Sequence, residues 1–474
     1  MQERISTPQA TGAGNRVVGF FVGLAERYLP DAFLFAIVLT LVTAVLAAVF
    51  VTADLLELIV AWYKGLWGIL TFALQMALIL LTGYTVAQSA LVSRGLDWLA
   101  SKPRNQGQAL ALTIVIASIA SLINWGFGLV VAAIMARFIG KRLENIDYAI
   151  LVSAGYAGFI VWASGLSSSI ALAVSSPGSS ANITEKETGQ VLGFGQTVFT
   201  WWNILPVVMI VVLLVPLYWW MMPKQSEQMR KVDRELLTRE DEEDEEIREE
   251  EGNEAEERNT PASKLERFWP LNLLISGAII AYFMSTIVAG NFTLDFNAVI
   301  AICLAIGLVL HWTPINYVRT FTGSAGAIGP IALQYPFYGG IQGLMTLSVA
   351  GVTLAGVIAG WFLSFSNEYT FAFWAFVSSN IISLFIPSGG GHWLVQGPVM
   401  VPAAQSLGVD QGLTAMAVAW GEGTANMIQP FWALPILGIV GLGIRDIMGY
   451  GVLTLALSFV IYGAFTLIAP LTLL

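Results

Sequence analysis

The chain has 474 residues, of which 56% are hydrophobic and only 11% charged, with a formal net charge of −10. A soluble domain carries about 25% charged residues, so a mean hydropathy of +0.72 excludes an ordinary globular protein in water. No nucleic-acid partner is expected. The single cysteine, Cys303, leaves no intrachain disulfide and no multi-cysteine metal site, and Cys303 and His311 read as packing residues. The first 16 residues lack the short apolar core and small-residue cleavage site of a secretory peptide, so the N-terminus is expected to be retained.

Apolar runs long enough to cross a bilayer core of about 30 Å recur along the whole chain. In chain order, spans are predicted at 30–51 and 65–90, with an amphipathic approach at 54–64. Residues 107–142 form one apolar stretch broken at Asn124-Trp125-Gly126-Phe127-Gly128. Residues 147–176 form another, broken at Ser164-Gly165-Leu166-Ser167-Ser168-Ser169. The span at 196–222 is bracketed by Trp201-Trp202 and Trp219-Trp220, about 27 Å apart at 1.5 Å per residue, as interfacial belts are. Residues 223–267 then hold 17 Asp/Glu against 9 Lys/Arg, including the run Glu240–Glu246, so they carry most of the net charge. With few apolar residues, this segment is expected to be an acidic, solvated cytoplasmic linker with some charge-paired helix. A connecting transmembrane helix at 268–294 leads to the remaining spans: 295–311, 325–366, and 369–408 broken at Pro387–Trp393. Last come 411–442, broken at Gly421–Asn426, and 448–472.

Residues 1–222 and 295–474 therefore share one pattern: two spans, a broken hairpin, a broken helix and a closing span. Arg94, Lys102 and Arg104 precede the first hairpin and Arg137, Lys141 and Arg142 follow it. The positive-inside rule puts both flanks in the cytoplasm, so this hairpin enters the membrane and returns. Continuing the count starts the second part outside, brings its hairpin in from outside and lands Arg445 inside. The expected fold is an all-α polytopic membrane protein with inverted-topology repeats, each with a re-entrant helical hairpin and a broken transmembrane helix.

Chemistry is expected at the breaks. A half-helix that starts in mid-membrane presents free N–H groups and a positive dipole end, which suits a carboxylate; one that ends there presents carbonyls, which suit a cation. Asn124, Gly126 and Gly128 are the candidates at the first tip, and Ser388, Gly389, Gly390 and Gly391 at the second, where glycine lets the backbone approach a ligand. Ser167 and Ser168, with Ser169, come from the first broken helix, although serine hydroxyls often bond back to their own helix. Thr424, Asn426 and Gln429 come from the second. Scattered glycines such as Gly351 and Gly356 read as helix-packing positions. Glu422 stands apart, because a charged side chain at bilayer depth costs about 2.5–3.5 kcal/mol on insertion scales. It must face a cavity or keep its proton, which makes it a proton carrier or cation ligand, or else a cap on the N–H groups of Thr424 or Asn426. His392 is either a second coupling group or a brace on a backbone carbonyl. A sodium ion, if bound, would lie near Asn124 and Glu422.

Ile386–Trp393 with Val395-Gln396-Gly397-Pro398, and Gly421–Gln429 running into Pro430-Phe431-Trp432-Ala433-Leu434-Pro435, resemble the short-chain fatty acid transporter family. Its members are permeases associated with acetoacetate and butyrate uptake. The resemblance covers essentially the whole chain apart from the acidic segment. It implies a secondary carrier of small monocarboxylates in the cytoplasmic membrane, working by alternating access, with H+ or Na+ as coupling ion and no other cofactor. More distantly, the layout is similar to the ion transporter superfamily, in which Ser-Asn-Thr tips hold carboxylates and sodium and homodimers are common. Here Asn124 lacks flanking Ser and Thr, the second tip is Ser-Gly-Gly-Gly, and Ser378-Ser379-Asn380 falls about two turns before it. Fewer polar contacts suit a smaller monoanion. The alternatives are a sodium/proton exchanger with Glu422 as shuttle, a di- or tricarboxylate carrier on the same scaffold, and an intramembrane serine hydrolase pairing Ser167 or Ser388 with His392. No Walker-type Gly-x-x-x-x-Gly-Lys-Ser/Thr run is seen, which argues against ATP drive.

Site-directed labelling tests this topology. With Cys303 replaced, cysteines at Lys102 and Arg142 react from the cytoplasmic side, and cysteines at Glu368 and Val409 from outside. Labelling of one pair from opposite sides would turn that hairpin into a true crossing.

Overall fold

The computed structural model describes residues 32–222, 229–231 and 260–473. The first 16 residues, the run Glu240–Glu246 and the side chain of Arg445 lie outside the described residues. The apolar runs fold as helices because, in hydrocarbon, only a helix pairs every backbone N–H and C=O within its own segment. In the first part these are α1 (Ala32–Phe50), α2 (Leu55–Gly68), α3 (Leu70–Ala87), α4 (Ala90–Ala100), α5 (Gln106–Ile123) and α6 (Trp125–Arg142). They are followed by α7 (Tyr148–Gly158), a 3-10 turn Phe159–Ser164, α8 (Ser169–Ser175), a short α9 (Ile183–Thr188) and α10 (Trp201–Met221). Short α11 (Pro261–Glu266) and connecting α12 (Pro270–Val288) lead to α13 (Phe296–His311), α14 (Pro314–Gly323) and α15 (Gly329–Thr346). A two-residue ribbon, β1 (Ser348–Val349) antiparallel to β2 (Val352–Thr353), pairs Ser348 with Thr353. Then come α16 (Leu354–Phe365), α17 (Phe371–Ser383), α18 (Gly389–Leu407), α19 (Gln411–Ala425), α20 (Pro430–Val440), α21 (Ile444–Ile468) and α22 (Pro470–Leu473). Among the described residues, seven segments are long and apolar enough to cross a membrane.

Polar residues start the helices. Asp54 and Glu57 form a capping box on α2. Asn105, Asp147, Asp295 and Asp410 each accept an N–H in the first turn of α5, α7, α13 and α19.

The order of elements repeats. Helices α1–α4, the hairpin α5/α6, the broken pair α7/α8 and closing α10 are followed by α13–α16, the hairpin α17/α18, the broken pair α19/α20 and closing α21. Packing repeats as well: α3 lies on α13 as α15 lies on α1, and α3 lies on α6 as α15 lies on α18. One end of the bundle gathers α4, the start of α5, the end of α6, the start of α7 and the end of α10. There Arg142 meets Asp97 at 2.7 Å, and Trp219 Nε1 donates to the Gly107 carbonyl at 2.8 Å. Arg230 joins this end, accepting the Tyr148 N–H at 2.9 Å and donating to the Asp446 carbonyl at the start of α21 at 3.1 Å. The other end gathers the end of α8 and the start of α13, where Ser175 Oγ donates to the Leu294 carbonyl at 3.0 Å. The start of α19 lies there too, with Gly412 against the Gln196 carbonyl. The two broken pairs therefore run in opposite senses, and both flanks of the α5/α6 hairpin lie at one end.

The central crossing of the two parts is α2 on α15, and it is made by glycine. A Cβ on Gly65 would overlap the Gly339 carbonyl oxygen, one on Gly343 would overlap the Ala61 carbonyl, and one on Gly339 would sit 2.5 Å from Gly65 O. Backbones this close gain dispersion contacts along the whole crossing, which is how helices associate in lipid.

Several expectations change. The stretch 325–366 is two helices, α15 and α16, separated by the ribbon. Gly351 is a turn glycine at φ +82°, where a side chain is strained, rather than a helix-packing one. Gly356 lies in the first turn of α16, where its N–H is bonded by Thr353 Oγ1 at 3.0 Å. The second broken helix does not open at Gly421. Helix α19 continues through Ala425, and the interruption is a 3-10 turn Asn426–Ile428 followed by extended Gln429. Gly421 and Gly423 stay helical because neighbours press on them: a Cβ would sit 2.5 Å from Phe376 O at one and 3.1 Å from Ala163 Cβ at the other. Of the tryptophan belts, Trp201, Trp219 and Trp220 are exposed to the surroundings of the bundle, whereas Trp202 is buried edge-on to Trp420.

Gly65→Ala and Gly339→Ala each force α2 and α15 apart. Each is expected to cost about 1–3 kcal/mol, as overpacking does, and to lower the melting temperature in detergent. Gly277→Ala on α12, with nothing within 4 Å of its Cβ position, should melt like the wild type.

Candidate functional site

The four interruptions meet one another in the interior. At the first tip, Asn124 is the one residue between α5 and α6, in extended conformation at φ −151°. Its Oδ1 accepts the Phe127 N–H at 3.0 Å, and its Nδ2 reaches Ile79 O at 3.3 Å and Cys303 Sγ at 3.7 Å. The Trp125 N–H donates to Ser167 Oγ at 2.8 Å. The carboxamide of Asn124 is thus committed to α3, α6 and α13. Gly126 and Gly128 are helical, with Gly126 against Leu80 of α3 and Gly128 against Ser121 of α5. Both positions allow close helix packing.

The first broken helix packs onto this tip. The Leu166 N–H donates to Leu122 O at 2.7 Å, and Gly165 has no room for a Cβ beside the same carbonyl. Ser167 supplies the acceptor for Trp125, and Ser168 caps α8 by accepting the Ala171 N–H at 3.4 Å. Ser167 therefore bonds across to the hairpin and not back to its own helix.

The second tip is built differently. Ser388 caps α18, its Oγ accepting the Gly391 N–H at 3.3 Å and donating to the Tyr335 hydroxyl at 2.7 Å, while its carbonyl accepts the His392 N–H at 2.6 Å. The N–H groups of Gly389 and Gly390 have no acceptor among the described residues. Three rings close on these glycines. A Cβ on Gly389 would sit 2.7 Å from Trp162 Cη2, one on Gly390 would overlap the Phe72 ring, and one on Gly391 would overlap the Tyr338 ring.

Glu422 comes up beside this tip from the last turn of α19, fully buried. Its Oε1 accepts from Asn426 Nδ2 at 2.9 Å. Its Oε2 has no partner among the described residues and lies 3.4 Å from the Cβ position of Gly389. Asn426 is held in turn: its Nδ2 also reaches Gln429 Oε1 at 3.1 Å, its Oδ1 accepts from Trp162 Nε1 at 3.0 Å, and its carbonyl accepts from the Tyr156 hydroxyl at 2.6 Å. Gln429 Nε2 donates to the Ser383 carbonyl at the end of α17. Glu422 is therefore bound by a side-chain amide, and the expected cap on the N–H groups of Thr424 or Asn426 is not formed. Thr424 Oγ1 is buried without a partner among the described residues. A buried polar atom left unpaired costs about 1–3 kcal/mol, so the unpaired Glu422 Oε2 beside Gly389 favours a polar partner.

His392 faces elsewhere. Its Nε2 meets Gln396 Oε1 and, at 3.3 Å, Ser379 Oγ. Gln396 Nε2 donates to Ala375 O and Ser378 Oγ, so Oε1 is the acceptor and His392 carries its proton on Nε2. The ring braces α18 on α17 through side chains and not through a backbone carbonyl. Ser388 and His392 have separate side-chain partners, so the pair that a serine hydrolase needs is not made. Asn124 and Glu422 likewise have separate partners, and the described residues contain no group of three His, Cys, Asp or Glu able to hold a metal. Trp162, Tyr156, Tyr335 and Phe72 complete the site and were not singled out from sequence. Their one sequence signal is that glycines without Cβ atoms require large side chains opposite them, with no indication of which.

The sequence model of the family described as short chain fatty acid transporter matches residues 14–469. A protein of Escherichia coli strain K12, named as a short-chain fatty acid transporter, is 38% identical over 447 residues, covering 94% of this chain and 98% of the relative. A Haemophilus influenzae protein of the same name is 36% identical over 439 residues, covering 92% and 95%. The crystal structure of the Alcanivorax borkumensis YdaH transporter, described as having an unusual topology, aligns with a TM-score of 0.60 over 93% of this chain and 98% of that chain. At 16% identity, that likeness concerns the fold alone.

Gly390→Ala drives a methyl group into the Phe72 ring and should lower thermal stability by about 1–3 kcal/mol. Adding Phe72→Leu should recover most of the loss. A double variant as unstable as the single one would mean that packing is not why glycine stands there.

Proposed function

Because the chain belongs to the short-chain fatty acid transporter family, we propose that it is a secondary active carrier of acetate-, butyrate- or acetoacetate-like monocarboxylates in the cytoplasmic membrane. The observation that carries this reading is the pairing of Gly389 and Gly390 N–H groups with the Oε2 of Glu422, all without partners among the described residues. The start of α18 offers donors and a positive dipole end to a substrate carboxylate. Glu422 brings a second carboxyl to the same place. Two anionic carboxylates at such a distance repel in a dry site, so a proton or a cation must enter with the substrate. That requirement makes the carrier a symporter.

Movement follows from the layout. In this reading α5/α6 and α17/α18 are re-entrant hairpins entering from opposite faces, and α7/α8 and α19/α20 are inverted copies, as in carriers whose site lies at the bilayer midplane. Hairpins and broken helices shift against the frame of α2 crossing α15, so that the site opens to one side at a time. Homodimers fit the same reading.

Uptake of labelled acetate, butyrate and acetoacetate into proteoliposomes, with proton and sodium gradients imposed separately, tests the assignment. Saturable accumulation driven by one of the two gradients is expected. Cation flux that proceeds equally well without any organic acid would replace the carrier with an exchanger.

Glu422→Gln separates the roles of the carboxyl. Gradient-driven accumulation should fall to the equilibrium level, while exchange of internal for external substrate persists on the α18 N–H groups. If accumulation and exchange fall together, in step with the melting temperature, Glu422 is structural only.

A further inference from the structure

We propose that Trp162 sets the longest acyl chain the site accepts. The inference rests on the carrier reading above and deepens it. Trp162 lies on the 3-10 turn of the first broken helix, almost fully buried. A carboxylate held by the N–H groups of Gly389 and Gly390 must send its carbon chain away from the start of α18. Over Gly390 and Gly391 that path is blocked by Phe72 and Tyr338, large rings on α3 and α15 that press on the glycines themselves. Over Gly389 it meets the outer edge of the Trp162 indole, whose Cη2 lies 2.7 Å from the Cβ position of that glycine. Trp162 is the ring that stands on the same side as the free oxygen of Glu422, so the tail of a substrate lying between the two is stopped by the indole.

The indole cannot swing aside. Its Nε1 is bonded to Asn426 Oδ1 at 3.0 Å, and its face is stacked on Phe159 with centroids 5.8 Å apart and planes 15° apart. Behind it stand Trp125 and Trp432, with ring centroids 6.4 Å and 6.5 Å away. A smaller side chain at 162 therefore opens space toward two further aromatic rings, an apolar lining that suits additional methylenes. Each methylene accommodated in such space favours binding about fourfold.

The test is competition of acetate, butyrate, hexanoate and octanoate against labelled butyrate in proteoliposomes. Wild-type protein should bind hexanoate more weakly than butyrate. Trp162→Leu should raise the hexanoate-to-butyrate affinity ratio by about tenfold or more, in line with two methylenes gained. Trp162→Phe keeps a ring on Phe159 but loses the outer edge, so its ratio should move in the same direction by less. A ratio within one variant does not depend on how much protein is folded, and the Phe variant serves if the Leu variant does not assemble. Trp202→Phe, remote against Trp420, should leave the ratio unchanged. A ratio that stays at the wild-type value in both Trp162 variants, or wild-type protein that already prefers hexanoate, overturns the role of Trp162. Absence of any butyrate uptake by the wild type overturns the carrier reading instead.

Discussion

The structure depends on one constraint: backbone N–H groups exposed where a helix is interrupted must find partners inside the protein, because hydrocarbon supplies none. At the first tip two of the three N–H groups that open α6 find protein partners, while the Gly126 N–H has no acceptor among the described residues. Trp125 donates to Ser167, Phe127 to Asn124, and Leu166 to Leu122, so the hairpin α5/α6 and the first broken helix are stitched into one unit. The second tip, which occupies the corresponding place in the repeat, leaves Gly389 and Gly390 without acceptors among the described residues. Two equivalent positions thus differ by one bond, the Trp125 N–H to Ser167 Oγ, which has no counterpart at Gly389 among the described residues.

That difference explains the surrounding side chains. Around the first tip they are helix ridges such as Leu80 and Ser121, pressed against Gly126 and Gly128. Around the second they are aromatic rings, which form rigid walls at little cost in side-chain entropy. The glycines of the second tip allow those rings to come near and leave the N–H groups uncovered at the same time. A methyl group on any of these glycines would meet a ring, so packing alone already requires glycine at all three positions.

The two halves of the chain are joined at two levels. In the interior, Trp162 and Tyr156 of the first part hold Asn426 of the second, and Asn426 holds Glu422. At one end of the bundle, Arg230 bonds Asp147, which caps α7, and reaches Asp446 and Tyr450 on α21. Asp147 is almost completely buried, so this ion pair is shielded from the screening that weakens surface pairs. A displacement of one broken helix relative to the other must be felt at both places.

The sequence alone determined the class of protein and the location of most breaks. Lipid makes that possible, because an apolar run must become a helix and a cluster of Gly, Ser and Asn within it stands out against hydrocarbon. It also marked Ser388–Gly391 and Glu422, since a serine before three glycines and a buried carboxyl are both rare at that depth. It misplaced the break after Glu422, because Gly421 and Gly423 remain helical under pressure from Phe376 and Ala163, residues distant in the chain. It did not show that Asn124 bonds α3, α6 and α13, or that Leu80 and Ser121 press on Gly126 and Gly128. Only the tertiary structure decided which side chains meet each tip, gave His392 Nε2 its partners Gln396 and Ser379, and brought Trp162 to the glycines beside Glu422. The physical reason is that hydropathy and spacing act along the chain, whereas the partner of a donor and the neighbour of a glycine come from segments that meet only when the two halves pack.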